Sequence, residues 1–361
     1  MILQICESVK NHMLHRSELP WLQHEPSTYS YLGRNDAAVN WLLQQREEIG
    51  LAMCKKIIIL GSGMIEPFAI AALPQAAQAE IIAVEIEKDL VELGHRVRSG
   101  ESITWEEVAS ISRHPGSSNR QLLEKNRIKK GLNQLKELGS LDLLGSGVTE
   151  ESFQVSEQLS SRVTFINRDS LSALEELDEA DLICDFFVQT NINKSGDRGV
   201  AYTRKLIEEA VASLSSQGMY LIGDTGYNHH HTLGHIAGLA LATINAGSLV
   251  HIVNKDNNFS SSWYLAISRG DLLGSDKVDG IRERIASLAN ETGLEIREVR
   301  HTYAELASNI NQALYLAYLA DKEGLITWST VSPLPQALLH LARDPESEFG
   351  ETIIFPDKNY S

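Results

Sequence analysis

The sequence is poor in the features that mark several classes of protein. Its three cysteines, Cys6, Cys54 and Cys184, are isolated, so the sequence indicates neither a disulfide framework nor a zinc cluster. No apolar run approaches the ~20 residues that a membrane span needs. Glu7 and Lys10 stand where a signal peptide needs an apolar core, so we expect an unexported protein in the cytoplasm.

Positive charge is also scarce. Lys and Arg number 32 against 48 Asp and Glu, which gives a net charge of -16. An acidic chain is poorly suited to gripping a phosphate backbone, so we expect no nucleic-acid partner. The 361 residues are 43% hydrophobic, enough to bury a sizeable core. A homodimer stays open as the state of assembly.

Short apolar runs alternate with helical segments over the middle of the chain. This alternation is typical of βαβ crossovers and predicts an α/β fold with a doubly wound, mostly parallel sheet. A polar turn between the last two runs predicts an antiparallel hairpin that closes one edge. The predicted strands are 57–60, 81–84, 163–166, 181–184, 219–222, 249–253 and 263–267.

The same patterns divide the chain into segments. Residues 1–53 are predicted to be a helical N-terminal cap, and residues 54–270 the α/β domain. Residues 100–160 are predicted to be a helical insertion between the second and third strands, and residues 271–361 a C-terminal helical extension.

A glycine-rich loop follows the first predicted strand and opens a helix. Gly61, Ser62 and Gly63 permit a tight turn and close approach of a ligand to the backbone, and Pro67 suits a first helical turn. A dinucleotide fingerprint would have a third glycine where Glu66 stands. An acid there would face the pyrophosphate, so NAD is disfavoured.

Acidic side chains stand at the carboxyl ends of the next predicted strands, where open α/β sheets bind ligands. Glu85 could accept hydrogen bonds from ribose hydroxyls. Asp169, followed by Ser170, could meet an adenine amino group, and Asp185 ends the fourth strand.

Together, the Gly61–Gly63 loop, Glu85, Asp169 and the closing hairpin resemble the class I S-adenosylmethionine-dependent methyltransferases over residues 54–270. The resemblance implies a Rossmann-like, seven-stranded sheet with S-adenosylmethionine as cofactor. It also implies that the glycine loop lies against the methionine part, Glu85 holds the ribose and Asp169 lies near adenine. The function expected is methyl transfer to a small molecule.

Two alternatives stay open. The Gly61–Ser62–Gly63 loop with Pro67 is also similar to that of nicotianamine synthases, which transfer the aminocarboxypropyl arm instead of the methyl group. Azetidine-2-carboxylate-forming enzymes, which cyclise that arm and release methylthioadenosine, belong to the same class. The second alternative, from a different functional class, is a ligand-binding or assembly protein without catalysis.

The acceptor is expected to lie beyond the fourth and fifth strands. A histidine there could act as a general base near neutral pH. His231 and His235 are spaced for one helix face, but no further ligand cluster supports a metal, and none is expected. Tyr29 and Tyr31 of the cap are expected to close over the sulfonium. The candidate acceptor-side residues are Asp185, Gln189, Asn191, Tyr202, Asp224, His229, His230 and His231.

Overall fold

A computed structural model describes part of the chain in two compact units, Met1–Leu177 and Asp178–Ser361. The described ranges are 53–111, 120–185, 197–224, 250–254, 263–272 and 326–328, together with residues 39, 43, 188, 248, 274, 277, 279, 280, 283 and 287. Within the predicted cap, Val39 and Leu43 are helical and buried. The rest of residues 1–52, with Tyr29 and Tyr31, lies outside the described residues.

The first unit contains a parallel sheet. Its elements in chain order are β1 (Lys56–Leu60), α1 (Glu66–Ala71), β2 (Glu80–Glu85), α2 (Lys88–Arg98), β3 (Ile103–Thr104), α3 (Trp105–Ile111), α4 (Arg120–Glu137), α5 (Leu141–Leu144), β4 (Ser152–Phe153), α6 (Glu157–Ser160), β5 (Val163–Asn167) and α7 (Ser170–Leu174). Strand β2 pairs in parallel with β1 on one side and β5 on the other. The carboxyl ends of these three strands therefore share one edge.

The core of this unit explains why β1 is a continuous apolar run. Residues 57–60 are fully buried, as expected for a parallel strand covered on both faces. Phe68 of α1 packs on Phe165 of β5 with ring centroids 5.6 Å apart. Helix α2 approaches the same ring so closely that a Cβ atom at Gly94 would lie 2.5 Å from Phe165 Cζ. A residue with a Cβ at this helix position would therefore force the Phe165 ring to move.

The segment predicted as a helical insertion contains α3 to α6 and a short ribbon. Strands β3 and β4 pair antiparallel, with Ile103 opposite Phe153. The indole Nε1 of Trp105 donates a hydrogen bond to the Thr149 carbonyl at 3.0 Å, and its ring packs edge-on against Phe153. The sequence pattern did not reveal this ribbon, because two residues are too few to show an alternating period.

The second unit has a mixed sheet with the predicted hairpin. Its elements are β6 (Ala180–Asp185), α8 (Asp197–Ala212), β7 (Leu214–Asp224), β8 (Val250–Asn254), β9 (Trp263–Ile267) and β10 (Ile326–Trp328). Strands β6 and β7 are parallel, β9 runs antiparallel to both β7 and β8, and β10 is parallel to β8. The predictions of an α/β fold, a mostly parallel sheet and an antiparallel hairpin are confirmed. The hairpin does not close the edge as predicted, because β10 pairs with β8 and lies outside it.

The predicted count of seven strands is wrong. The described residues place three strands in the sheet of the first unit and five in that of the second. The additional strand, β10, lies in a stretch that was predicted to be helical. Its three residues are again too few for a period to be visible in the sequence. Most of the predicted C-terminal extension, residues 271–361, lies outside the described residues.

Arg162 forms hydrogen bonds with the segment that connects α1 to β2. The Arg162 guanidinium, just before β5, donates hydrogen bonds to the carbonyl oxygens of Ala71 at 2.6 Å, Ala76 at 2.7 Å and Ala79 at 3.2 Å. Ala71 ends α1, so its carbonyl has no partner within the helix. Burial lowers the pKa of Arg162, and the three carbonyls offset part of the cost of desolvating this charge.

An Arg162→Met variant is expected to unfold with a free energy lower by about 2–3 kcal/mol, because three partly buried carbonyls lose their donor. Urea unfolding followed by circular dichroism measures this. The matched control is Arg98→Met, which removes an exposed arginine at the end of α2. Equal effects of the two substitutions would contradict the role of Arg162.

Candidate functional site

The loop after β1 has the conformation for which its glycines are needed. Gly61 and Gly63 have φ values of 60° and 59°, in the left-handed region that side chains with a Cβ rarely adopt. Between them, Ser62 is buried, its backbone N–H donates to the Val84 carbonyl at 3.1 Å and its hydroxyl donates to the Gly63 carbonyl at 2.9 Å. The predicted tight turn is confirmed, and it lies at the carboxyl edge of the sheet.

Glu85, the last residue of β2, is tied to this loop. Its side chain is 7% exposed, and its Oε2 accepts a hydrogen bond from the Gly63 N–H at 2.9 Å. Its Oε1 accepts from the N–H groups of Ile86 at 2.8 Å and Glu87 at 3.0 Å. A carboxylate has about four lone-pair directions, so one direction on Oε2 has no donor among the described residues.

Burial and hydrogen bonding act on the charge of Glu85 in opposite directions. Burial raises the pKa of the Glu85 carboxyl above its ordinary value, and the charge of Glu87 raises it further. The hydrogen bonds from Glu87, Gly63 and Ile86 lower the pKa, because they stabilise the ionised form. Burial is the largest of these effects. A buried carboxyl with a raised pKa at a sheet edge is a candidate binding residue.

Asp169 follows β5 and begins α7. Its Oδ1 accepts hydrogen bonds from the N–H groups of Leu171 at 3.0 Å and Ser172 at 3.3 Å, which makes Asp169 the N-cap of this helix. Ser170 is buried beside it. The structure thus brings Gly63, Glu85 and Asp169 to the ends of three neighbouring strands, and their contacts with a cofactor remain predictions.

Glu66 lies in the first turn of α1, directly after the glycine loop. It is only 1% exposed, and Pro67 follows it in the same turn. A buried acid at this point occupies the position where a dinucleotide-binding loop keeps a glycine for close packing.

The acceptor-side candidates belong to the second unit. Asp185, at the end of β6, is fully buried, its Oδ2 accepts from the Tyr220 hydroxyl at 2.9 Å and its Oδ1 from the Val188 N–H at 2.8 Å. Tyr202 is a half-buried residue of α8, and Asp224 is the last residue of β7. The acceptor-side candidates outside the described residues are Gln189, Asn191, His229, His230 and His231, and His235 lies outside them too.

Asn167 also belongs to the site at the carboxyl ends of β2 and β5, although no role was predicted for it from the sequence. It ends β5, directly opposite Glu85, and its side-chain amide donates to the carbonyls of Glu85 and Ile86. The signal available in the sequence was an amide side chain at a strand end, two residues before the acidic Asp169.

The described segments contain no group of three or more His, Cys, Asp or Glu residues that could hold a metal ion. Cys54 and Cys184 are buried and form no disulfide. None of the described helices combines the length and apolar character that crossing a membrane requires.

Comparison with known proteins finds similarity only at the level of solved structures. No protein-family model matches the chain. No curated protein matches it either.

The solved structures similar to this chain include several methyltransferases. Human methyltransferase-like protein 13 in complex with SAH has a TM-score of 0.36 at 12% identity, over 71% of this chain and 92% of that one. The methyltransferase domain of bacterial CtHen1 has a TM-score of 0.36 at 12% identity, over 65% of this chain and 98% of that one. Precorrin-6y C5,15-methyltransferase from Geobacter metallireducens has a TM-score of 0.31 at 12% identity, over 64% of this chain and 84% of that one. Similarities of this size do not assign a function to this chain.

The side chains at the edge of the first unit define what this edge can do. Glu85 offers a hydrogen-bond acceptor in a desolvated setting, and the glycines allow a ligand to approach the backbone. The arrangement therefore suits the binding and orientation of a ligand that offers a hydroxyl donor to Glu85.

Proposed function

We propose that the protein is an S-adenosylmethionine-dependent transferase that moves the methyl group to a small molecule. The observation that carries the proposal is the buried Glu85 carboxylate, fixed by the Gly63 amide at the carboxyl end of β2. Its remaining acceptor direction suits a ribose hydroxyl. Asp169 and Ser170 are proposed for the adenine side, and Tyr29 and Tyr31 for closing over the sulfonium.

The charges of this edge favour a nucleoside without phosphates. The Gly63 N–H donates its hydrogen bond to Glu85. In a dinucleotide site this N–H would face an anion instead. Glu66 adds a second buried acid beside the loop. Two carboxyl groups disfavour a pyrophosphate, whereas S-adenosylmethionine has no phosphate and carries a positive sulfonium.

The chain needs little covalent chemistry for such a transfer. When bound, S-adenosylmethionine supplies a methyl group that the sulfonium charge already activates. The residues of the chain orient the cofactor and hold the acceptor in line with the breaking bond. Asp185, Gln189, Asn191, Tyr202 and His230 are proposed for the acceptor side, with His230 taking a proton from the acceptor. Asp185 serves there by holding the chain at Val188.

Aminocarboxypropyl transfer is the second candidate. The observation that favours it is the Gly61–Ser62–Gly63 loop with Pro67 in the first turn of α1, because this combination is similar to the loop of nicotianamine synthases. The same Glu85 contact would serve both reactions, since both use the same cofactor.

The decisive experiment incubates the protein with S-adenosylmethionine and candidate small amines and alcohols, and identifies the nucleoside product by mass. SAH indicates methyl transfer, and methylthioadenosine indicates that the aminocarboxypropyl arm has moved. Calorimetric binding of SAH without either product favours a ligand-binding protein. Absence of both binding and product contradicts the proposal.

The net charge of -16 supports the part of the proposal that concerns the acceptor. An acidic chain suits a small-molecule acceptor better than a nucleic acid. A cytoplasmic location and a homodimer belong to the proposal as well, and size-exclusion chromatography with light scattering tests the dimer.

A further inference from the structure

Asn167 makes two contacts with the backbone that follows Glu85. Its Nδ2 donates to the Glu85 carbonyl at 3.1 Å and to the Ile86 carbonyl at 3.0 Å. The identity of the nitrogen follows from its partners, because an amide oxygen facing two carbonyl oxygens would be repelled by both. Asn167 therefore uses both hydrogens of its side-chain amide on the chain at the end of β2.

The same two peptide units hold the Glu85 carboxylate. The Glu85 carbonyl and the Ile86 N–H belong to one planar peptide unit, and the Ile86 carbonyl and the Glu87 N–H belong to the next. The two N–H groups donate to Glu85 Oε1, while the two carbonyls accept from Asn167. Each plane is thus held at both ends, by Asn167 on one side and by Glu85 on the other.

This role calls for a side-chain amide. The backbone ladder between β2 and β5 closes with the Arg168 N–H donating to the Glu85 carbonyl at 3.2 Å. The Ile86 carbonyl lies one residue further on, beyond this last pair, and Asn167 supplies its donor. A serine could donate one hydrogen and an aspartate none, so neither could hold both planes.

We propose that Asn167 is a positioning residue that fixes the Glu85 carboxylate for a ribose hydroxyl by locking the two peptide planes between them. The proposal rests on the function proposed above. Asn167 acts through Glu85. Removing its amide should therefore weaken the binding of ligands that donate a ribose hydroxyl to Glu85, and leave unchanged the binding of ligands without these hydroxyls.

The test measures binding of SAH and of its 2′,3′-dideoxy analogue by calorimetry. Asn167→Leu keeps the approximate shape and removes both donors without adding a charge, and Asn167→Ala removes most of the side chain. The matched control is Glu176→Gln, whose exposed side chain pairs with the Arg168 side chain and is not part of the contacts between Asn167 and β2. We expect both Asn167 variants to bind SAH about 5- to 10-fold more weakly, to bind the dideoxy analogue with unchanged affinity, and Glu176→Gln to change neither.

Equal weakening for both ligands in the Asn167 variants would overturn the proposal, because it would indicate a general loosening of the edge. Unchanged SAH binding would overturn it as well. A second measurement needs no ligand: the Glu85 carboxyl is titrated by NMR, with Glu85→Gln identifying its signal. We expect a higher pKa in Asn167→Ala, since hydrogen bonds from Ile86 and Glu87 lower that pKa and would weaken, while the charge of Glu87 stays the same.

These two measurements separate the proposals. Wild-type protein that binds no SAH would refute the proposed function, while the titration would still decide whether Asn167 positions Glu85. An unchanged pKa in Asn167→Ala would overturn the positioning role whatever the ligand.

Discussion

A Glu85→Gln variant is expected to bind SAH about 10- to 100-fold more weakly than the wild-type protein. The two donors at Oε1 favour the glutamine oxygen there, which turns the glutamine NH2 toward Gly63. The Gly63 N–H then faces a donor, and the acceptor offered to the ribose hydroxyl is lost. Isothermal titration calorimetry with SAH measures the change.

The control for this prediction lies on the same strand. Glu80 is the exposed first residue of β2, so Glu80→Gln makes the same change of charge at the opposite end. We expect it to bind SAH as the wild-type protein does. Equal affinities for the wild-type, Glu80→Gln and Glu85→Gln proteins would contradict the assignment of Glu85 to the ribose.

The raised pKa of Glu85 gives the same interaction a pH dependence. A protonated carboxyl donates its hydrogen and loses acceptor capacity, so SAH affinity should fall as the pH drops through a value above the ordinary 4.5. The folded protein takes up this proton more readily than the unfolded chain does. The contribution of Glu85 to the free energy of unfolding therefore falls as the pH rises from the unfolded pKa through the folded one. Glu85→Gln should lack both dependences.

The elements that the sequence predicted well are those with a local signal. Residues 57–60 are continuously apolar, and they form a strand buried on both faces. Trp263–Ile267 was predicted with its bounds, because a polar turn separates it from a second apolar run. Gly61 and Gly63 predicted a tight turn, since few other residues adopt positive φ.

Contacts between residues far apart in the chain could not be predicted from the sequence. Arg162 binds the carbonyl of Ala71, 91 positions away, and Asn167 binds that of Glu85, 82 positions away. Such pairs depend on the register of β2 against β5, which are separated by α2 and the whole insertion. A single sequence contains no signal for that register, so an arginine and an asparagine at strand ends looked like ordinary polar residues.

Asp185 illustrates an intermediate case. Its place at the end of a strand was predicted, but its partner was not. The register pairs Ile183 with Tyr220 and Asp185 with Ile222, so Tyr220 and Asp185 are diagonal neighbours on one face of the sheet. The Tyr220 hydroxyl therefore donates a hydrogen bond to the Asp185 carboxylate. The position of Asp185 at a strand end had predicted only that it would contact the acceptor.

The fully buried position of Asp185 leads to the second large effect. Asp185→Ala is expected to lower the free energy of unfolding by about 2–5 kcal/mol, because the buried Tyr220 hydroxyl and the Val188 N–H lose their acceptor and a cavity remains. Tyr220→Phe removes one donor to the buried carboxylate and should cost about 1.5–3 kcal/mol. Urea unfolding of both single variants and the double variant gives the coupling between the two side chains.

Asp185→Asn separates a positioning role from a direct one. The asparagine oxygen can still accept from Val188, and its NH2 can donate to the Tyr220 hydroxyl oxygen, since a hydroxyl both donates and accepts. We therefore expect Asp185→Asn to retain most of the stability lost in Asp185→Ala, and turnover within about tenfold of the wild type, because the chain at Val188 stays in place. Turnover that falls by more than about 100-fold, with stability retained, would instead assign the Asp185 charge directly to the reaction.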